Sequence, residues 1–253
     1  MADLGNQRAL ERFHEVADAV AAQLAGVDDW GESGRRRGQY KADLGADDVA
    51  VSMLIEDGFA VLSEESGRSG PRAGRVVVVD PLDGSTNASR GIRWFATALC
   101  LVDEHGPAVA LVADQASGER WWATRGGGAF RGRPDAPVAL TPSGCRRPAE
   151  AIVGISGLPT GDYGWAQFRA LGAAALDLCL VAAGVLDAYV DMSDDAHGVW
   201  DYLAGVLICR ESGAVVADAV GRELTVVDHD ARRTPVAAAT PDLLDALVAV
   251  RRR

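Results

Sequence analysis

Leu10, Phe13, Val16, Ala17, Val20 and Leu24 recur at helical spacing and predict an amphipathic helix over residues 6–25. His14 falls off that apolar stripe and reads as a solvated residue. A second helix follows over residues 40–57, with Val51, Leu54 and Ile55 on its core side. Residues 59–63 and the four valines at 76–79 read as short buried strands. Residues 94–102, 108–113 and 120–124 read as antiparallel strands, joined by turns at His105-Gly106-Pro107 and Ala116-Ser117-Gly118. Gly126-Gly127-Gly128 reads as a hairpin leading to Ala129 and Phe130, because no GK[ST] or GxGxxG precedes a helix there.

The pattern changes after residue 134. Residues 134–148 hold four prolines and little periodicity, which places a domain boundary near 140 and divides the chain into 1–140 and 141–253. Beyond it, strands at 151–156, 186–191, 214–217 and 235–239 alternate with helices near 165–169 and at 172–184, 200–211 and 242–252. Such alternation predicts a sheet covered by helices. The apolar run 171–186 contains Asp177 and is too short to span a bilayer, so it reads as a buried helix. Arg251 to Arg253 read as a solvated, frayed end.

Composition narrows the function. Of 253 residues, 48% are apolar, enough for a sizeable core. A net charge of −11 argues against nucleic acid as the main partner, because a phosphate backbone calls for a basic face. Cys100, Cys145, Cys179 and Cys209 are widely spaced and form no zinc pattern; they read as reduced thiols in a cytoplasmic protein. Met1 to Gly5 reads as no signal peptide.

The candidate chemistry lies at the end of the valine strand, in Asp80-Pro81-Leu82-Asp83-Gly84-Ser85-Thr86-Asn87. Two carboxylates leave a strand end, Gly84 permits a tight turn, and Ser85, Thr86 and Asn87 are helix-capping types. Carboxylate oxygens suit Mg²⁺, and free backbone N–H groups suit a phosphate. The plainer reading is a strand, a Pro-Asp turn and a capped helix. Strand 59–63 likewise runs into Glu64-Glu65-Ser66-Gly67, a candidate second acidic turn. Asp43, Asp47 and Asp48 read equally as first-turn acids of a helix or as part of a metal site, and Asp201 sits similarly in the first turn of its helix. Arg35, Arg36 and Arg37 read first as a solvated loop, with electrostatic help for an anionic substrate as the other reading. The acidic stretch Asp191, Asp194 and Asp195 could hydrogen-bond a polyol.

Together, Glu64-Glu65-Ser66, the Asp80–Asn87 stretch, and Trp200-Asp201 with Glu211-Ser212-Gly213 after it resemble the inositol monophosphatase family from about residue 40 to residue 218. The resemblance implies a five-layered αβαβα sandwich, a homodimer, and lithium-sensitive, Mg²⁺-dependent hydrolysis of a phosphate monoester. It implies Glu65, Asp80 and the Leu82 carbonyl around a first Mg²⁺, and Asp80, Asp83 and Asp201 around a second. Asp47 would serve a third ion or the attacking water together with Ser85, which stands where the family usually has Thr. The family's Thr upstream of that acid is absent, since Leu44-Gly45-Ala46 stands there, and Arg35 to Arg37 stand in for its loop Lys. Gly84, Ser85 and Thr86 would receive the phosphate. Gly172, Ala173, Ala174 and Asp191 would contact the substrate, with Asp194 as the alternative to Asp191. The expected substrate is a small phosphorylated polyol or sugar, inositol-1-phosphate first. Fructose-1,6-bisphosphate, histidinol phosphate, a nucleotide 3′-phosphate, or a non-catalytic regulatory role on the same scaffold are the alternatives.

Overall fold

The computed structural model describes residues 4–71 and 74–251. The chain opens with α1 (Leu4–Ala25) and α2 (Lys41–Glu56), followed by β1 (Ala60–Ser63), β2 (Gly67–Ser69), β3 (Val76–Asp83) and the one-turn helix α3 (Ser85–Ser89). A meander of β4 (Ala96–Asp103), β5 (Gly106–Asp114), β6 (Arg120–Thr124), β7 (Gly128–Arg133) and β8 (Ala136–Ala139) completes an eight-stranded sheet in the order β2-β1-β3-β4-β5-β6-β7-β8. Only β1 and β3 pair in parallel within it. After a 3₁₀ turn at Pro148–Glu150 come β9 (Ile152–Ser156), β10 (Gln167–Arg169), α4 (Ala174–Ala182), β11 (Ala188–Asp191), α5 (Val199–Ser212), β12 (Val215–Asp218), β13 (Pro235–Ala238) and α6 (Pro241–Arg251). Their strands form a second sheet in the order β10-β9-β11-β13-β12.

Alternation along the central strands assigns the layers, because successive side chains of a strand point to opposite faces. Val77 and Val79 join Phe13, Val16, Val20 and Leu54 in the core beneath α1 and α2. Val76 and Val78 face the other way, into the core that holds α4, α5, Tyr189 of β11 and Ala237 of β13. The far face of the second sheet, with Val153, Ile155, Val190 and Val236, packs on Leu243 and Leu247 of α6. The result is five layers: helices, sheet, helices, sheet, helix. α4 and α5 fill the middle layer because the apolar residues of α4 and of the middle of α5 are spread round the helix rather than confined to one stripe. They also approach closely: a Cβ on Gly205 would stand 2.6 Å from the Leu178 Cβ.

Several elements differ from the sequence reading. Residues 165–169 are not helical; β10 is an exposed edge strand paired in parallel with β9. β2 and β8 are strands that carry no alternating pattern. His14 is half-buried, its ring edge-on to Trp122 at 5.6 Å, and burial with the nearby Arg120 lowers its pKa to about 4. Arg251 is bound rather than solvated: its Nε donates to the Asp191 carbonyl at 2.8 Å and its guanidinium pairs with Asp194 at 2.6 Å. Met1 to Asp3, Arg252 and Arg253 lie outside the described residues. Among the described residues no helix is long and apolar enough to cross a membrane, and Cys100, Cys145, Cys179 and Cys209 are all free thiols.

Candidate metal and phosphate site

The parallel pairing of β1 with β3 aligns Ser63 with Val79, so the residues that leave the two strand ends are neighbours. Ser63 points toward α2, where its hydroxyl donates to Asp47. Alternation then sends Glu64 to the opposite side, the side on which Asp80 continues the row of Val76 and Val78. α5 faces that side and presents Asp201 from its first turn. Carboxylate oxygens of Glu64, Asp80 and Asp201 thus lie within 4.8 Å of one another.

Three aspartates of the site are held by backbone. Asp80 accepts the Leu82 N–H at 3.0 Å, and Asp201 accepts the Gly198 N–H at 2.7 Å. Asp83 accepts the Ala175 N–H at 2.8 Å from the first turn of α4, so residues 172–175 serve the site by fixing a carboxylate. Gly84 is left-handed with φ +83°, and a Cβ there would meet the Trp94 carbonyl oxygen at 2.9 Å and the Gly172 carbonyl oxygen at 3.2 Å. Asn87 locks the same turn, donating from one amide nitrogen to the carbonyls of Trp94 at 2.9 Å and Leu171 at 2.8 Å. Thr86 turns outward, where its hydroxyl accepts from Tyr40 at 3.3 Å.

The carboxylates crowd one another, with Asp80 and Asp83 buried and Glu64 and Asp201 partly buried. Burial, with Glu64, Asp83 and Asp201 nearby, raises Asp80 well above its ordinary pKa. Burial and then Asp201 and Glu65 raise Glu64 in the same way. Burial and Asp201 push Asp83 up to about 7. Burial also raises Asp201, against the pull of His197. His197 itself rises to about 9: burial lowers it, but its bond to Asp191 and the charge of Asp201 outweigh that.

Of the residues named from sequence, Asp80, Asp83 and Asp201 lie near one another, whereas Glu65 and Asp47 lie outside the converging set. Glu65 is turned to the α2 side, where Gln39 and Arg36 donate to its carboxylate; Glu64 is the glutamate beside Asp80. Asp47 lies one turn beyond Asp43 in α2 and accepts from Ser63, with its pKa raised by burial. Asp43, at the start of α2, is the acid near Ser85. Its Oδ2 accepts the Tyr40 N–H at 2.6 Å, its Oδ1 is buried without a hydrogen-bond partner, and burial raises its pKa to about 7. Asp191 cannot greet a polyol: it is fully buried, and its two oxygens are taken by the Ser193 N–H and by His197, each at 2.8 Å. Asp194 is occupied by Arg251.

Sequence reading passed over His197, His229 and Arg232. His229 contacts the Glu64 carbonyl at 3.0 Å and Arg232 lies over the Trp200 ring at 5.1 Å, close enough to favour the charged form of Asp201. No motif marks these residues; His197 lies on the approach to α5, and His229 and Arg232 lie on the loop between β12 and β13, from which His229 reaches Glu64. For Glu64 a signal existed. Matching its alternation to that of the valine strand puts Glu64 and Asp80 on one face.

An oxygen-only set of converging carboxylates, with one orphaned buried oxygen beside it, fits a hard divalent cation. The profile of the inositol monophosphatase family matches residues 39–253. A fructose-1,6-bisphosphatase/inositol-1-monophosphatase of Methanothermobacter thermautotrophicus is 29% identical over 90% of this chain and 89% of its own. The Nus factor SuhB of Escherichia coli is 30% identical over 84% of this chain and 80% of its own. A Pyrococcus horikoshii structure, described as having similarities to inositol-1 monophosphatase, superposes with a TM-score of 0.81 at 24% identity, covering 96% of both chains. With its layered fold and its acidic strand ends, this chain belongs to the inositol monophosphatase family of phosphomonoester hydrolases.

Proposed function

We propose that the protein hydrolyses a small phosphorylated polyol or sugar in a Mg²⁺-dependent reaction, with inositol-1-phosphate as the first candidate and fructose-1,6-bisphosphate as the second. The observation that carries the reading is the convergence of Glu64, Asp80 and Asp201 within 4.8 Å, beside Asp83 and the Gly84-Ser85 turn. The joint name of the Methanothermobacter relative supports both substrates. Glu64, Asp80, Asp83 and Asp201 would hold two or three Mg²⁺ ions, with the Leu82 carbonyl as a further oxygen donor. Mg²⁺ bound there supplies Lewis-acid polarisation of phosphate oxygens and a water of lowered pKa.

The chain's own groups do the remaining work. Asp43, raised to about 7 by burial, is poised to accept a proton near neutral pH, and the Ser85 hydroxyl beside it orients the donor. Backbone N–H groups at Gly84 and Ser85 would receive phosphate oxygens. α3 is only five residues long, so its contribution is these N–H groups rather than a macrodipole. Asn87 and Gly84 keep the turn in the one shape that presents them. A cytoplasmic location and a homodimer complete the reading; the four free thiols agree with the first, and gel filtration tests the second.

A regulatory binding role without turnover is the second reading, favoured by the likeness to a protein named as a Nus factor. Phosphate release from inositol-1-phosphate, fructose-1,6-bisphosphate, histidinol phosphate and 3′-phosphoadenosine-5′-phosphate decides, measured with Mg²⁺ and with EDTA. Release from one of them in Mg²⁺ alone is the expected result. No release from any, by folded protein that binds Mg²⁺, replaces it with the binding role.

A further inference from the structure

The loop between α1 and α2 reaches Glu64 through Arg36. Arg36 Nη2 donates to Glu64 at 2.9 Å and to Glu65 at 2.8 Å. The loop is set up for this contact. Ser33 N–H donates to the Gln39 carbonyl at 2.8 Å, the Ser33 hydroxyl donates to the Gln39 side chain at 2.6 Å, and Gln39 in turn donates to Glu65. Glu32 and Tyr40 bridge across the loop's base. The Glu65 side chain is 3% exposed, whereas that of Arg36 is 44% exposed. A cation therefore lies at the mouth of the carboxylate cluster, on a tether, with one side open to water.

We propose that Arg36 is a tethered counter-ion that competes with divalent metal for Glu64, so that metal enters as the Arg36 loop lets go. The inference rests on the metal-dependent reading of the site. A divalent cation held by the Glu64 carboxylate would be repelled by the guanidinium that donates to the same carboxylate, since the two carry like charge. Glu65 gives the displaced arginine somewhere to stay, because its carboxylate lies outside the converging set of Glu64, Asp80 and Asp201. Gln39 holds that carboxylate in place meanwhile. The second arginine contact thus serves as a parking position. The exposed half of Arg36 allows the side chain to swing without unfolding its surroundings.

Two measurements on the full chain test this. In Mg²⁺ titration calorimetry, Arg36→Ala should bind Mg²⁺ about tenfold more tightly than the unaltered protein, with Arg36→Lys in between. In thermal melts, Arg36→Ala should melt lower than the unaltered protein in EDTA, where both the Glu64 and the Glu65 contacts are lost, and by a smaller margin in saturating Mg²⁺, where only the Glu65 contact is lost. A residue with a merely structural role would lower both melts by the same margin, and that result overturns the competition. Equal or weaker Mg²⁺ binding by Arg36→Ala overturns the competition while leaving the phosphatase reading intact. Absence of Mg²⁺ binding in both proteins overturns the competition together with the metal-dependent function.

Discussion

Two adjacent glutamates have opposite surroundings. Glu64 joins Asp80 and Asp201, while Glu65 lies across the backbone against Gln39 and Arg36. Glu64→Gln should therefore cost more than about a hundredfold in Mg²⁺-dependent turnover, and Glu65→Gln about tenfold, the range for a group that acts from behind a ligand. The same contrast holds on α2. Asp43→Asn should cost at least about a hundredfold, the usual worth of a general base. Asp47→Asn, which keeps a partner for Ser63, should cost far less. Steady-state kinetics on the four variants gives the ranking, and a reversed order would return the roles to Glu65 and Asp47.

At the level of elements, the turn between β3 and α3 does what a longer helix does elsewhere, and Asn87 holds it. Asn87→Ala removes two hydrogen bonds to carbonyls of the β4 approach and the α4 approach, and should cost about 2–3 kcal/mol in a denaturant titration. This turn was legible in the sequence because its signals are local: a β-branched run, a proline, a glycine and capping residues. The apolar run 171–186, which holds α4, was legible as a buried helix for the same reason. β10 was not, because a five-residue stretch of mixed polarity fits either period and its strand form comes from pairing with β9, 15 residues back in register. β2 and β8 are defined by their partners alone. Asp191 was misjudged on similar grounds: only packing reveals that the strand end carrying it turns inward to His197. The motif named the acidic residues at the site, but which of two adjacent acids faces Asp80 is a matter of register between β1 and β3.

Over the whole molecule, the acidic site draws Asp43, Glu64, Asp80 and Asp83 from the part before residue 140 and Asp201 from the part after it. α4 and α5 pack between the two sheets, so both parts share one core. Asp43 and Asp83 have folded pKa values near 7, above the unfolded range of about 4. Their contribution to stability is complete below that unfolded range and is lost as pH rises through 7. His197, raised to about 9, has the same sign and loses its contribution at higher pH. In EDTA the melting temperature should fall by roughly 5 °C or more between pH 5 and 8. Mg²⁺ binds the ionised carboxylates and releases protons, so the gap between melts with and without it should widen over that interval. A pH-independent gap would contradict this account. The distance along the chain between Asp83 and Ala175 has a kinetic consequence too. Crowding of the carboxylates does not exist in an extended chain; it arises when α4 and α5 dock onto the first sheet. That docking closes long loops and comes late in refolding. Mg²⁺ present from the start should hasten this last phase, seen in tryptophan fluorescence, and leave earlier phases unchanged, which would make the ion an aid to assembly before it serves any reaction.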